Sequence, residues 1–178
     1  MKSLAKLKRT EMIWKQPKFG VDHYELRAGD DIYGELYWTK WFSDKAVGIC
    51  NGKLWTFDRE GFFRSKVVVE AGSNGLEVAH FEFDWTKGGV IRLANRIPYQ
   101  WYRTKLLRNT WVLENMNGVV LFEMEIGLRW FKQEAWIGLH TVVDEKTRLD
   151  LLLPLCLYLA ICAMLDTALA VSATTAAY

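Results

Sequence analysis

The stretch "AHFEFDW" sets His80, Glu82 and Asp84 at alternate positions, and all three residue types ligate divalent metals. In an extended chain they share one face while Phe81, Phe83 and Trp85 take the other. A strand with one dry and one wet face carries such a polar row in any case, so the row reads as outer surface and no metal site is expected. His23 and His140 lie in similar strand-like surroundings, near Asp22 and Thr141. No Ser, Cys or Thr occupies a G-x-S-x-G setting, which leaves a hydrolytic triad without its nucleophile. The glycines form neither G-x-G-x-x-G nor a phosphate loop. No catalytic residue and no cofactor is therefore assigned, and the expected function is non-enzymatic.

Cations are the other candidates. "IPYQWYRTKLLRNTW" interleaves aromatics with Arg103, Lys105 and Arg108, as platforms for single-stranded nucleic acid do. Yet Tyr99, Trp101 and Arg103 alternate with Gln100, Tyr102 and Thr104 as in any sheet, and the net charge is only +2. Nucleic acid is not an expected partner. At the other extreme of the chain Lys2, Lys6, Lys8 and Arg9 precede the first acid, Glu11. A basic residue close to an anionic membrane contributes about 1 kcal/mol. Lys2, Lys6, Lys8, Arg9, Arg103, Lys105 and Arg108 are accordingly the candidate lipid- or anion-binding residues, with Arg92 and Arg96 as further contributors.

The elements that must position these residues are mostly strands. From Val21 to Val143 short alternating segments are separated by turn signals. "VDHYELR" and "IYGELYW" flank "AGDD"; "KAVGIC" and "KLWTFD" flank Asn51-Gly52, a dipeptide suited to the positive φ angles of a two-residue hairpin. "GFFRSKVVVE", "LEVAHFEFDW", "GVIRLAN", "YQWYRTK", "TWVLENM", "VVLFEMEI", "LRWFK" and "AWIGLHTVV" follow. Ten to twelve strands at this spacing form a sandwich or a barrel. Val120, Phe122, Met124 and Ile126 share one face, and Leu121, Glu123 and Glu125 the other, so one side of the sheet is wet.

After Val143 the character changes. Leu151 to Leu165 runs fifteen residues without a charge, a helix of about 22 Å against a hydrocarbon layer of roughly 30 Å. Asp166 interrupts the run. The segment is apolar all round, which within a folded protein means surrounded on every side. Pro154 fits the first turn, where a missing N–H costs little. A sheet closed into a barrel around this helix satisfies both, because a barrel of so many strands is too wide for side chains alone to fill. The alternative is a membrane-anchored protein in which residues 151–173 cross the bilayer; the length and Asp166 count against it. Asp166 opposes the helix dipole and should reach a backbone N–H, a rim cation or solvent.

The 178 residues, 51% hydrophobic and 14% aromatic with nine Trp, describe one folded domain over residues 1–178. Residues 1–10 form its basic N-terminal segment and 151–171 its central hydrophobic helix. Cys156 and Cys162 are too far apart on a helix to bridge. With three Cys in all and no secretory signal, a reducing cytoplasmic setting is expected, peripheral at a membrane where lipid is bound.

A strand series followed by one apolar C-terminal helix, opening with "FGVDHYELRAGDDIYGELYW" and closing with "LDLLLPLCLYLAICAMLD", resembles the tubby C-terminal-like superfamily. That group joins tubby proteins, phospholipid scramblases, plant LURP-one-related proteins and small single-domain bacterial members, to which the chain looks closest. The resemblance implies a closed barrel of about twelve antiparallel strands around one helix. It also implies a non-enzymatic binding or scaffold module, with anionic phospholipid, phosphoinositide headgroups or a protein as partner. The scramblase features are not matched: there is no Pro-rich arm, no Cys cluster for acylation, and "TVVDEKTRLD" is a poor calcium loop.

Overall fold

The computed structural model describes residues 1, 2, 4, 12–20, 22–40, 43–61, 65–72, 74–84, 88–94, 98–105, 109–129, 132–140 and 148–175. Twelve strands are followed by one helix. They are β1 (Met12–Lys15), β2 (His23–Ala28), β3 (Asp31–Trp38), β4 (Lys45–Cys50), β5 (Lys53–Glu60) and β6 (Lys66–Ala71). β7 (Leu76–Asp84), β8 (Gly88–Leu93), β9 (Tyr99–Lys105), β10 (Thr110–Asn115), β11 (Val120–Arg129) and β12 (Lys132–Leu139) complete the series before α1 (Leu149–Thr175). Each strand pairs antiparallel with the next, and β12 pairs with β1, so the sheet closes. Closure leaves no unpaired edge.

The alternation read from sequence is the alternation of inside and outside. Phe122, Met124 and Ile126 of β11 face inward and are buried, while Glu123 and Glu125 are exposed. Leu121 departs from it: the register shifts between Leu113 and Glu114, which pair with Phe122 and Val120. Leu121 is thus the extra residue of a bulge, and it is buried rather than on the wet face. Two other expectations are corrected. "LRWFK" is not a strand of its own, because β11 continues through Arg129 and β12 begins at Lys132. β1 was not foreseen at all, and it supplies the closure: Trp14 pairs with Ala135 on one side and Leu26 on the other.

The helix runs down the lumen. Leu149 to Cys162 are all buried, and its 27 residues extend beyond the expected 151–171 at both ends. It begins earlier because the carbonyl of Arg148 already accepts hydrogen bonds from the N–H groups of Leu151 and Leu152. The helix lies against β3, β4 and β5 rather than on the barrel axis. The opposite wall reaches across with larger side chains, among them Trp14, Trp101, Phe122 and Met124, all fully buried.

Gly48 of β4 permits the close approach. A Cβ placed there would lie 2.9 Å from Pro154 Cβ and 2.9 Å from Phe57 Cε2, inside contact distance. Overpacking of a filled core costs about 1–3 kcal/mol, so Gly48→Ala should lower the free energy of unfolding by that amount. A denaturation midpoint equal to that of the wild type would show that the helix has room to yield.

Candidate lipid-facing cations and the two barrel ends

Strand direction sorts the connections into two sets. The β2–β3, β4–β5, β6–β7, β8–β9 and β10–β11 links lie at the end where α1 begins. The β1–β2, β3–β4, β5–β6, β7–β8, β9–β10 and β11–β12 links lie at the end where it emerges. These are called here the entry end and the exit end.

Of the seven candidate cations the described residues include Lys2, Arg103 and Lys105, and these lie at opposite ends of the barrel. Lys2 is at the entry end, where its N–H bonds the Ile32 carbonyl at 3.0 Å and its ammonium lies 2.7 Å from Asp31. That carboxylate raises the Lys2 pKa. Arg103 and Lys105 lie toward the exit end on β9. Arg103 is half-buried and shares the strand face of Trp101, which is wholly buried, so it is turned inward rather than out to a surface. Lys6, Lys8, Arg9 and Arg108 lie outside the described residues, as does Arg96. Arg92 stands on the outer wall with Nε 3.4 Å from Glu82.

His80, Glu82 and Asp84 do face outward together. His80 Nδ1 is 3.1 Å from Glu77 and its Nε2 is 3.8 Å from Glu82, and Glu82 is shared with Arg92. Among the described residues no three His, Cys, Asp or Glu are grouped to hold a metal. On the wall Arg92 and Glu82 form an ion pair, and His80 lies between Glu77 and Glu82.

Charges inside the barrel anchor the helix at both ends. At the entry end Asp150 lies in the first turn, where a carboxylate complements the helix dipole. It is 2.9 Å from Lys53 and 3.6 Å from Arg148, and its carbonyl accepts the Trp55 indole N–H at 3.1 Å. At the exit end Arg59 points inward from β5 and grips Asp166 through two bonds of 3.1 and 2.7 Å. The Arg59 guanidinium also lies 4.6 Å from the centre of the Phe83 ring. Of the three outcomes expected for Asp166, a backbone N–H, a rim cation or solvent, it has the rim cation. Close by, the Tyr158 hydroxyl donates to the Asp44 carbonyl.

The three cysteines are free and buried. Burial pushes the Cys50 thiol up to about 12 and the Cys162 thiol up to about 11, and raises Cys156 well above its ordinary range. Thiolate is the reactive form, so at pH 8 the folded protein should not react with a thiol reagent such as 5,5′-dithiobis(2-nitrobenzoate). All three should react in denaturant. Rapid labelling of even one in the native state would contradict this burial.

The exposed cations that meet no carboxylate among the described residues were not among those expected from sequence. Lys18 in the β1–β2 link, Lys40 in the β3–β4 link and Arg129 at the end of β11 are exposed. Among the described residues none of them lies in an ion pair with a carboxylate. All three are at the exit end, whereas Lys2, Lys53 and Arg148 of the entry end each face an acid. Their signal in the sequence was position between strands, which carries no meaning until strand direction assigns an end. Comparison with protein-family models, with curated proteins and with solved structures finds no match for this chain.

Proposed function

We propose that the protein is a non-enzymatic binding module of tubby-like kind whose ligand is an anionic membrane surface. The observation that carries this reading is the filled lumen. With Leu149 to Cys162 buried inside the barrel, a partner has only the outer wall and the two ends to meet. Three exposed cations with no carboxylate partner among the described residues favour an anionic ligand, since each such charge near an anionic bilayer contributes about 1 kcal/mol. Residues 149–168 are also long and apolar enough to cross a membrane. Spanning would require the helix to leave the barrel and uncover Trp101, Phe57 and Phe122, so its burial favours a peripheral role.

The test is flotation of the full chain with vesicles. Co-flotation with phosphatidylcholine vesicles that contain phosphatidylserine is expected, and none with phosphatidylcholine alone. Raising salt from about 0.1 M to about 1 M shortens the screening length from roughly 10 to 3 Å and should release the protein. Absence of binding at low salt would remove the lipid reading.

A further inference from the structure

Three exposed apolar side chains lie at the exit end, where Lys18, Lys40 and Arg129 also are. Phe19 is 71% exposed, Leu128 75% and Leu165 55%. Phe19 follows Lys18 in the β1–β2 link, and Leu128 precedes Arg129 at the tip of β11. These two tips are braced against each other. Lys132 donates to the Pro17 carbonyl at 3.0 Å, the Gln16 side-chain carbonyl accepts the Gln133 N–H at 2.8 Å, and the Tyr24 hydroxyl bonds Gln133. The β1–β2 link and the β11–β12 hairpin therefore present Phe19, Leu128, Lys18 and Arg129 from one bonded unit. Leu165 stands on the helix where it leaves the barrel, on the face of Tyr158 seven residues earlier.

An apolar tip flanked by cations has a defined complement. Amphipathic groups of this kind bury the apolar part at the boundary of headgroups and acyl chains, while the cations meet lipid phosphates. The entry end also exposes apolar residues, Leu54, Leu76, Met116 and Val119, but its described cations Lys2, Lys53 and Arg148 are paired with acids. Sequence separates the ends in the same sense. The six exit-end links contain "KFG", "KWF", "GFFR", "WTK", "LLR" and "RWFK", each joining a large apolar residue to a cation, whereas of the five entry-end links only β8–β9, "ANRIP", does so and the others are "AGDD", "NG", "AGSNG" and "NMNG". Residues 21, 41–42, 62–64, 73, 85–87, 95–97, 106–108 and 130–131 of these links lie outside the described residues. It is their composition, not their conformation, that distinguishes the ends.

We infer that the protein docks on an anionic bilayer end-on, through the rim from which the helix emerges, with Phe19 and Leu128 inserted and Lys18 and Arg129 against the headgroups. This rests on the lipid reading proposed above and goes further, by fixing the contacting residues and the orientation of the barrel axis. It does not use Lys2, the described cation of the basic N-terminal segment, which lies at the opposite end.

The experiment is vesicle flotation of the full chain and three double variants, with near-ultraviolet circular dichroism to confirm the fold of each. F19S/L128S and K18E/R129E should each weaken binding to phosphatidylserine-containing vesicles by about tenfold or more. L76S/M116S, at the entry end, should bind as the wild type does. Hydrogen exchange of the unmutated protein gives a second readout that depends on no variant: vesicles should protect the segments 16–22 and 126–134. Binding that survives both exit-end variants, or is lost equally in L76S/M116S, overturns the orientation while leaving lipid binding in place. So does protection confined to the entry-end links. A wild type that binds no vesicles removes the lipid reading and this inference with it.

Discussion

Truncating Tyr158 to Ala should cost about 3–5 kcal/mol of folding stability, the range for removing a large buried aromatic. Domains of this kind have only about 5–15 kcal/mol to lose, so a third or more of the total would go. Tyr158 is fully buried. Its ring stacks 5.8 Å from that of Trp38 and lies 5.4 Å from that of Phe57, so it joins the helix to β3 and β5. Its hydroxyl donates to the Asp44 carbonyl in the β3–β4 link. Tyr158→Phe keeps the ring contacts and loses the hydrogen bond, which should cost about 0.5–1.5 kcal/mol. Urea unfolding followed by tryptophan fluorescence separates these values. Equal losses in the two variants would mean that the hydroxyl, not the ring, holds the helix in place.

Asp166→Leu should be the more damaging half of the Arg59–Asp166 pair. The Arg59 side chain is 7% exposed and that of Asp166 is 43% exposed. Removing the carboxylate leaves a guanidinium buried without its counter-charge, whereas removing the guanidinium leaves a carboxylate that water already reaches. Breaking a fully buried pair costs about 3–5 kcal/mol; with Asp166 partly solvated, about 2–3 kcal/mol is expected for Asp166→Leu. Arg59→Met should cost less. The double variant should recover part of the Asp166→Leu loss, because apolar replacement of both partners removes the stranded charge. A double-mutant cycle in urea measures all three. Additive losses, with no recovery in the double variant, would show that the pair does not act as a unit.

Much of the fold was legible because its signals are local. Alternation in β7 and β11 placed Phe81, Phe122, Met124 and Ile126 on the buried face. Asn51-Gly52 marked the β4–β5 hairpin, where both residues have positive φ. A helix apolar on every side can satisfy itself only by being enclosed, and that condition, with the strand count, pointed to a filled barrel. A rim cation was among the partners anticipated for Asp166, but the reason was not the right one: the helix continues to Thr175, so Asp166 lies inside it rather than in the last turn, where the dipole acts.

What failed was in each case non-local or too short to repeat. The four residues of β1 contain only two inward positions, Met12 and Trp14, and two positions do not make a period. Only the pairing of Trp14 with Ala135, far away in the chain, shows that they close the sheet. Leu121 followed the parity of its strand on paper, but a register shift on the neighbouring strand buries it. Charge was the hardest to place. A Lys in sequence looks the same whether its ammonium meets Asp31, as that of Lys2 does, or no carboxylate among the described residues, as with Lys18 and Lys40. Local patterning, a property of neighbouring residues, determined the strands, the helix and the need to enclose it. Pairing register, the choice of barrel end and the neutralisation of each cation depend on residues from other elements, 29 positions away for Lys2 and Asp31 and 107 for Arg59 and Asp166, and only the tertiary structure decided those.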